Sequence, residues 1–313
     1  MSASPAIVWF RHDLRLADNP ALRAAMAEGR PVVPVFLWSP DEEGDWPLGG
    51  ASRWWLHHSL AALQESLNDR GSRLIIRQGE AFQPLQALVD ETGAEAIFWN
   101  RRYEPAGIAR DKQVKESLRG AGLAVESFNA NLLFEPWEVQ TQSAGPYQVF
   151  TPFWRRCCEL GIERQTLPKP RSIPGLRSWP KSLSLEDLSL LPTIPWDKAF
   201  YDRWTPGEDG GQRLLKEFVS GPIKDYADER DRPDRRGTSS LSPHLHFGEI
   251  SPLQIWEAVT AKFGPPPPSK KGRKTGPMTY LSEVGWREFA HHVLYHFPHT
   301  PAAPLRENFV QFP

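Results

Sequence analysis

Ala6-Ile-Val-Trp-Phe-Arg-His-Asp-Leu-Arg-Leu-Ala-Asp-Asn-Pro-Ala-Leu22 passes from five consecutive apolar residues, through a charged turn, into a segment with Pro20 in its first turn. A short apolar run bounded by a turn reads as a strand buried on both faces, and proline suits the start of a helix. The unit predicts a strand over Ala6 to Phe10 and a helix over Asn19 to Glu28. It repeats. Val32-Val-Pro-Val-Phe-Leu-Trp38, Arg73-Leu-Ile-Ile-Arg77, Ala96-Ile-Phe-Trp99 and Leu123-Ala-Val-Glu-Ser-Phe128 read as further strands. Between them lie helical stretches over Ser52 to Arg70, Phe82 to Thr92 and Ile108 to Leu118, stopped by Gly71, Gly93 and Gly120. Near-continuous apolar strands alternating with helices predict an α/β fold: a doubly wound, parallel, five-stranded sheet covered on both faces.

From about Glu135 the pattern changes. Residues 136–200 carry Pro168, Pro170, Pro174, Pro180, Pro192 and Pro195 among scattered serines, which predicts a long connection with little regular structure. Helical periodicity then returns over Gly210 to Ser220, Ser251 to Phe263 and Thr279 to Phe297, without a strand signal. The expected organisation is an α/β domain over 1–134, a connector over 135–200 and a helical domain over 201–313. A proline and basic break, Pro265 to Pro268 and Lys270 to Gly276, separates the last two helices. Ending on Phe312-Pro313, the helical part reads as truncated.

The composition sets bounds. A chain of 313 residues that is 40% hydrophobic and 24% charged is neither disordered nor fibrous. Its formal net charge of −1 argues against coating nucleic acid by bulk electrostatics, but leaves room for a local basic patch. Cys157 and Cys158 are adjacent and supply no disulfide framework. No apolar run suits a membrane helix, and the N-terminus has no signal-peptide core, so a reduced, soluble, cytoplasmic protein without a membrane partner is expected. Proline (31) and tryptophan (13, against 16 Phe) are in excess.

Three constellations could carry chemistry. No glycine-rich dinucleotide turn or P-loop follows any strand. Arg11 to Asp18 instead sits at the C-terminal end of the first strand, where open α/β sheets hold ligands. A salt-bridged loop capping the sheet is the plainer reading. Gly237-Thr-Ser-Ser-Leu-Ser-Pro-His244 offers the hydroxyls of Thr238, Ser239, Ser240 and Ser242, with Arg235 and Arg236 before it and Tyr226 and Arg230 upstream. Such a run can bind a diphosphate; alternatively Ser242 and Pro243 only start a helix. On Glu283-Val-Gly-Trp-Arg-Glu-Phe289, the residues Glu283, Trp286, Arg287 and Ala290 share one helix face, suited to a base-like ring or to an ordinary i,i+4 ion pair. Lys262, Lys270, Lys271, Arg273 and Lys274 lead into that face, as where phosphates position and aromatics receive bases. His292 and His296 lack the glutamate of a metalloprotease helix, so no metal is expected.

Ile7 to Leu22, Tyr147-Gln-Val-Phe-Thr-Pro-Phe153, Thr238-Ser-Ser-Leu-Ser-Pro-His-Leu245 and Glu283 to Phe289 together resemble the DNA photolyase/cryptochrome family, in its order along the chain. The resemblance implies an N-terminal α/β antenna domain and a helical domain holding a U-shaped FAD. It assigns flavin contacts to Tyr226, Thr238, Ser239, Ser240, Leu241 and Ser242, and a place near flavin and lesion to Arg287. Arg230 corresponds to a DNA contact, Glu283 to the acid that hydrogen-bonds the damaged bases, and Trp286 to the aromatic that stacks on them. Tyr280 keeps an aromatic wall beside the DNA site where many relatives have Trp.

The implied partner is UV-damaged DNA, bound by a monomer. The implied reaction is light-driven reversal of cyclobutane pyrimidine dimers by excited reduced FAD, on flipped-out bases. Thr238-Ser-Ser-Leu-Ser242 resembles the dimer enzymes more than cryptochromes or the (6-4) enzymes. A cryptochrome-like photoreceptor is the alternative; a nucleotide-binding α/β protein ranks third. Two departures stand out. Ala106 and Gly107 occupy the positions of the family's usual antenna contacts, so a folate or deazaflavin antenna is not supported there. The remaining flavin-domain helices lie beyond Pro313, so this stretch alone is expected to hold flavin weakly or not at all. Trp9, Trp38, Trp55 and Trp99 are expected to pack on the sheet. Trp137, Trp154, Trp179, Trp196 and Trp204 are expected to anchor the connector, leaving Trp286 to meet a flat ligand.

Overall fold

The computed structural model describes residues 4–267 and 275–311. Strands β1 (Ala6–Phe10), β2 (Val32–Trp38), β3 (Ile75–Gln78), β4 (Ala96–Asn100) and β5 (Ala124–Phe128) are all parallel and run in the order β3-β2-β1-β4-β5. Helices α1 (Pro20–Ala25), α2 (Gly50–Asn68), α3 (Phe82–Thr92) and α4 (Pro105–Gly120) fill the crossovers. Because alternate residues of a strand point to opposite faces, β1 serves two cores. Ala6, Val8 and Phe10 pack with Leu22 of α1 and with Leu56, Leu60 and Leu63 of α2. Ile7 and Trp9 pack with Leu85 and Leu88 of α3 and with Val114 and Leu118 of α4. The doubly wound parallel sheet read from the sequence is what forms.

Local differences have local reasons. Helix α1 stops at Ala25, and β3 starts two residues later than Arg73. The connector is less irregular than its prolines suggest, since α5 (Phe150–Leu160) forms inside it. Pro152 falls in the first turn, where proline is tolerated, and Phe153 and Cys157 bury one face a turn apart. The chain continues through α6 (Lys198–Arg203), α7 (Glu208–Ser220), α8 (Tyr226–Glu229), α9 (Ser242–His246), α10 (Pro252–Phe263) and α11 (Gly276–His296). Ser251 caps α10 through a reciprocal box with Gln254, whereas Ser242 makes no capping hydrogen bond for α9. Lys270, Lys271, Arg273, Lys274 and the final Phe312-Pro313 lie outside the described residues.

Buried charge, rather than apolar surface alone, joins the sheet to the helices. Arg15, 0% exposed, donates to the carbonyls of Asp18 (2.7 Å), Ala130 (2.7 Å) and Gly248 (2.8 Å). Glu208 accepts the amides of Leu16 (3.1 Å) and Ala17 (3.0 Å). Glu249 accepts Trp55 Nε1 (3.0 Å), the Gly207 amide (2.6 Å) and the Ser59 hydroxyl, with His244 on its other oxygen. Glu288 accepts the amides of Leu133 (2.7 Å) and Phe134 (3.3 Å), and burial raises its carboxyl to about 7 against the pull of Arg287. The Arg11–Asp18 loop is therefore not a cap closed on its own salt bridges; it is the seam. Gly248, at φ +65°, rests on the His12 carbonyl with no room for a Cβ. Among the tryptophans, Trp9 and Trp99 are buried edge to face at 5.6 Å. Trp137 and Trp196 are 41% and 46% exposed, and each still packs against a ring, Tyr295 and Phe200 respectively, at 5.6 Å.

Candidate functional site

In a sheet of this order the winding reverses between β1 and β4, and the crevice beyond their C-terminal ends is the natural place for a ligand. A cavity of about 570 Å³ opens there, between the sheet and the helices. Its two walls differ in chemistry.

Apart from Glu283 and Arg287 on α11, the helical wall is neutral. Tyr226 of α8 and Tyr280 of α11 meet edge to face at 5.2 Å, and Phe218 of α7 backs Tyr280 at 4.6 Å. The Tyr280 hydroxyl donates to Ser239 Oγ at 3.1 Å, and burial raises this phenol above its usual range. Thr238 to Ser242 follow Gly237, where a Cβ would overlap that of Glu229. Ser240 is held in the left-handed region at φ +54°, a strained setting for a residue with a side chain. Among the described residues no acceptor meets the amides of Thr238, Ser239 or Ser240. These are free donors beside three hydroxyls.

The sheet wall is charged and already paired. Arg102, just past β4, donates both terminal nitrogens to Glu43 (2.7 Å each) and Nε to Glu104 (3.2 Å). Burial works against the Arg102 cation, but Glu104 and Glu43 together raise its affinity for the proton. Burial likewise opposes the Glu104 carboxylate, yet Arg102 and His12 hold it well below the usual range. Burial, with Arg102 beside it, pushes His12 well below an ordinary histidine, and its ring lies 5.0 Å from His246. His291 of α11 is pushed down to about 3 by burial and by Arg287. Tyr103 donates to Glu135 at 2.8 Å, and Arg101 donates to the other Glu135 oxygen at 2.5 Å.

Tyr226, Thr238, Ser239, Ser240, Leu241, Ser242, Tyr280, Glu283 and Arg287 all line this one cavity. Arg230 and Trp286 lie outside its lining. Arg230 donates to Glu283 at the edge, and Trp286 is 47% exposed against Phe150. The expected Glu283–Arg287 pair does not form, because Arg287 turns inward to donate to the Asn131 carbonyl at 2.6 Å. Tyr280, 5% exposed, faces the cavity rather than an outer surface. Arg235 is engaged by Glu229 at 2.6 Å. Sequence reading missed His12, Arg102, Glu104, His246 and His291. The end of β4 faces the same crevice as the end of β1, and that position points to Arg101–Glu104.

A second cleft, lined by Trp9, Trp38, Glu43 and Arg110 among others, encloses about 30 Å³. That is room for a few waters at most, far below the bulk of a folate or deazaflavin. Ala106 and Gly107 sit in the first turn of α4, and the side chain of Arg102 crowds Gly107. Among the described residues no helix is long and apolar enough to cross a membrane.

Sheet, seam and cavity define a doubly wound α/β protein whose helical half closes a ligand-sized space over the β1/β4 switch point. The family model for DNA photolyase matches residues 6–172, and the chain belongs to that family. It is similar to the deoxyribodipyrimidine photo-lyase of Agrobacterium fabrum, 45% identical over the whole chain, which spans 64% of that protein's length. Cryptochrome-1 of Arabidopsis thaliana is 37% identical, again over the whole chain and 46% of its own length. A bacterial class III photolyase from Agrobacterium tumefaciens superposes with a TM-score of 0.92 at 44% identity, over all of this chain and 63% of that one.

Proposed function

We propose that this protein takes part in light-driven repair of cyclobutane pyrimidine dimers in DNA, with FAD in the cavity between sheet and helices. The reading includes the organisation into an antenna-type α/β domain (1–134), a connector (135–200) and the N-terminal part of a helical FAD- and DNA-binding domain (201–313). One observation carries it: the hydroxyl-rich wall and Glu283 share a cavity whose rim is one turn from the exposed indole of Trp286.

The residues suit the cofactor. The unpaired amides of Thr238 to Ser240 and their hydroxyls are neutral donors that favour a diphosphate without a standing charge. Tyr226 and Tyr280 offer aromatic edges for flat rings, and the volume is within the range of cofactor sites. Bound there, FAD supplies light absorption and the electron that a dimer needs to split.

The chain's own residues do the rest. Arg230 fixes the Glu283 carboxylate at the rim, where it accepts a hydrogen bond from a base N–H. Trp286 stacks on an extruded base, a contact worth about 1–3 kcal/mol. Arg287, committed to Asn131, fixes α11 against the sheet wall. Damaged bases stack poorly, which lowers the cost of extruding them.

The chain spans 64% of its photo-lyase relative, so FAD uptake is expected to be weak, and with FAD in large excess the reduced protein should remove dimers from a thymine-dimer oligonucleotide under blue light but not in the dark. FAD uptake without repair would favour the cryptochrome-like photoreceptor, to which the similarity with cryptochrome-1 also points. Absence of FAD uptake would sink both readings for this length of chain.

A further inference from the structure

Tyr147-Gln-Val-Phe-Thr-Pro-Phe153 has no residue in the cavity, yet it leads into α5 and brings Phe150 against α11. The Phe150 and Trp286 rings lie face to face, with centroids 3.8 Å apart and planes 11° from parallel. Behind Phe150 the Trp154 ring is again nearly parallel, at 6.4 Å and 10°, and it meets Trp256 edge on at 6.2 Å. Gly285, the residue before Trp286, has its α-hydrogens against the Trp154 ring, where a Cβ would collide. Phe289 closes the edges of both Phe150 and Trp286 at 5.9 Å. The indole is thus pinned on one face and along one edge, while 47% of its surface stays exposed.

We propose that Phe150 is a positioning residue: it clamps one face of Trp286 so that the opposite face stands flat and ready for an extruded pyrimidine. An indole that only packed would be covered on both faces. A free one would lose rotamer freedom each time a base docked, and a pre-stacked one has already lost it. Trp154 and the bare Gly285 make the clamp rigid, because a platform that yields would return that cost. The inference rests on the dimer-repair reading of Trp286.

The test compares wild type with Phe150→Leu and Phe150→Tyr in titrations with a thymine-dimer duplex and with the same duplex undamaged. FAD content and urea midpoint are measured on the same samples. Phe150→Leu is expected to weaken dimer binding about threefold to tenfold, the equivalent of one aromatic pair. Undamaged DNA should bind as before, FAD content should not change, and Phe150→Tyr should restore the preference. Equal dimer affinity in Phe150→Leu and wild type overturns the clamp, as does a parallel loss for both duplexes. If Phe150→Leu does not fold, Phe150→Met fills the space without a flat ring and is read by the same ratio. A wild-type protein that takes up FAD but shows no preference for the dimer overturns the repair reading first, and the clamp with it.

Discussion

The two walls of the cavity solve opposite problems. The Thr238–Ser242 stretch of the helical wall leaves donors unpaired and carries no charge, so it gains most from a ligand that brings charge to it. The sheet wall carries charge and spends it internally, with Arg102 shared by Glu43 and Glu104 and the histidines kept neutral. Binding capacity and structural integrity are therefore separated across one cavity. A substitution on one side is expected to change ligand affinity more than stability, and on the other side the reverse.

The sharpest way to break this contrast is Arg102→Ala, which leaves Glu43 and Glu104 without their shared cation. The expected cost is on the order of 3 kcal/mol in urea unfolding. Replacing the three together, as Arg102→Met with Glu43→Gln and Glu104→Gln, should recover most of it. A single variant as stable as wild type would mean that the wall is not held by this pairing.

Acid is the next lever. His12, His246 and His291 are kept neutral in the fold, so between their folded values and about 6.5 the unfolded chain binds more protons. Stability should fall as the pH drops below about 6.5, and for His291 the loss continues toward about 3. Glu104, held below its usual range, adds to the loss once the pH passes below about 4.3. At pH 5, His291 alone should account for on the order of 1–2 kcal/mol. His291→Asn should flatten this limb of the pH–stability curve, and Ser239→Ala should leave its shape unchanged.

Effects on the neutral wall are smaller. Tyr280→Phe removes the hydrogen bond to Ser239 and should cost about 1 kcal/mol of stability. FAD affinity should fall as well if Ser239 is held in place for the ligand. Smallest of all, Ser240→Gly relieves the left-handed backbone and should raise stability by about 0.5 kcal/mol. A loss greater than about 1 kcal/mol there would mean that the serine side chain, not the backbone, holds the loop.

The same contrast explains what could be read in advance. Thr238 to Ser242 are contiguous, so their hydroxyls were visible as a run, and the strands were visible because burial on both faces leaves unbroken apolar stretches. The parallel crossovers bring His12 beside residues 101–104, and His291 reaches the same wall from α11. No local spacing encodes that meeting. Helix α5 was hidden differently: proline density masked an i, i+3, i+4, i+7 pattern in Phe150, Phe153, Trp154 and Cys157. Glu283 and Arg287 had the right spacing to pair, but each has a better partner from another segment.

Arg15 has a history as well as a place. One of its three carbonyl partners, on Gly248, lies 233 residues further along the chain. At typical rates of synthesis that interval lasts on the order of 10–50 seconds. During it, the β1 end of a nascent sheet carries a cation that cannot yet be buried with all its acceptors. The sheet therefore leaves the ribosome well before the segment that completes it.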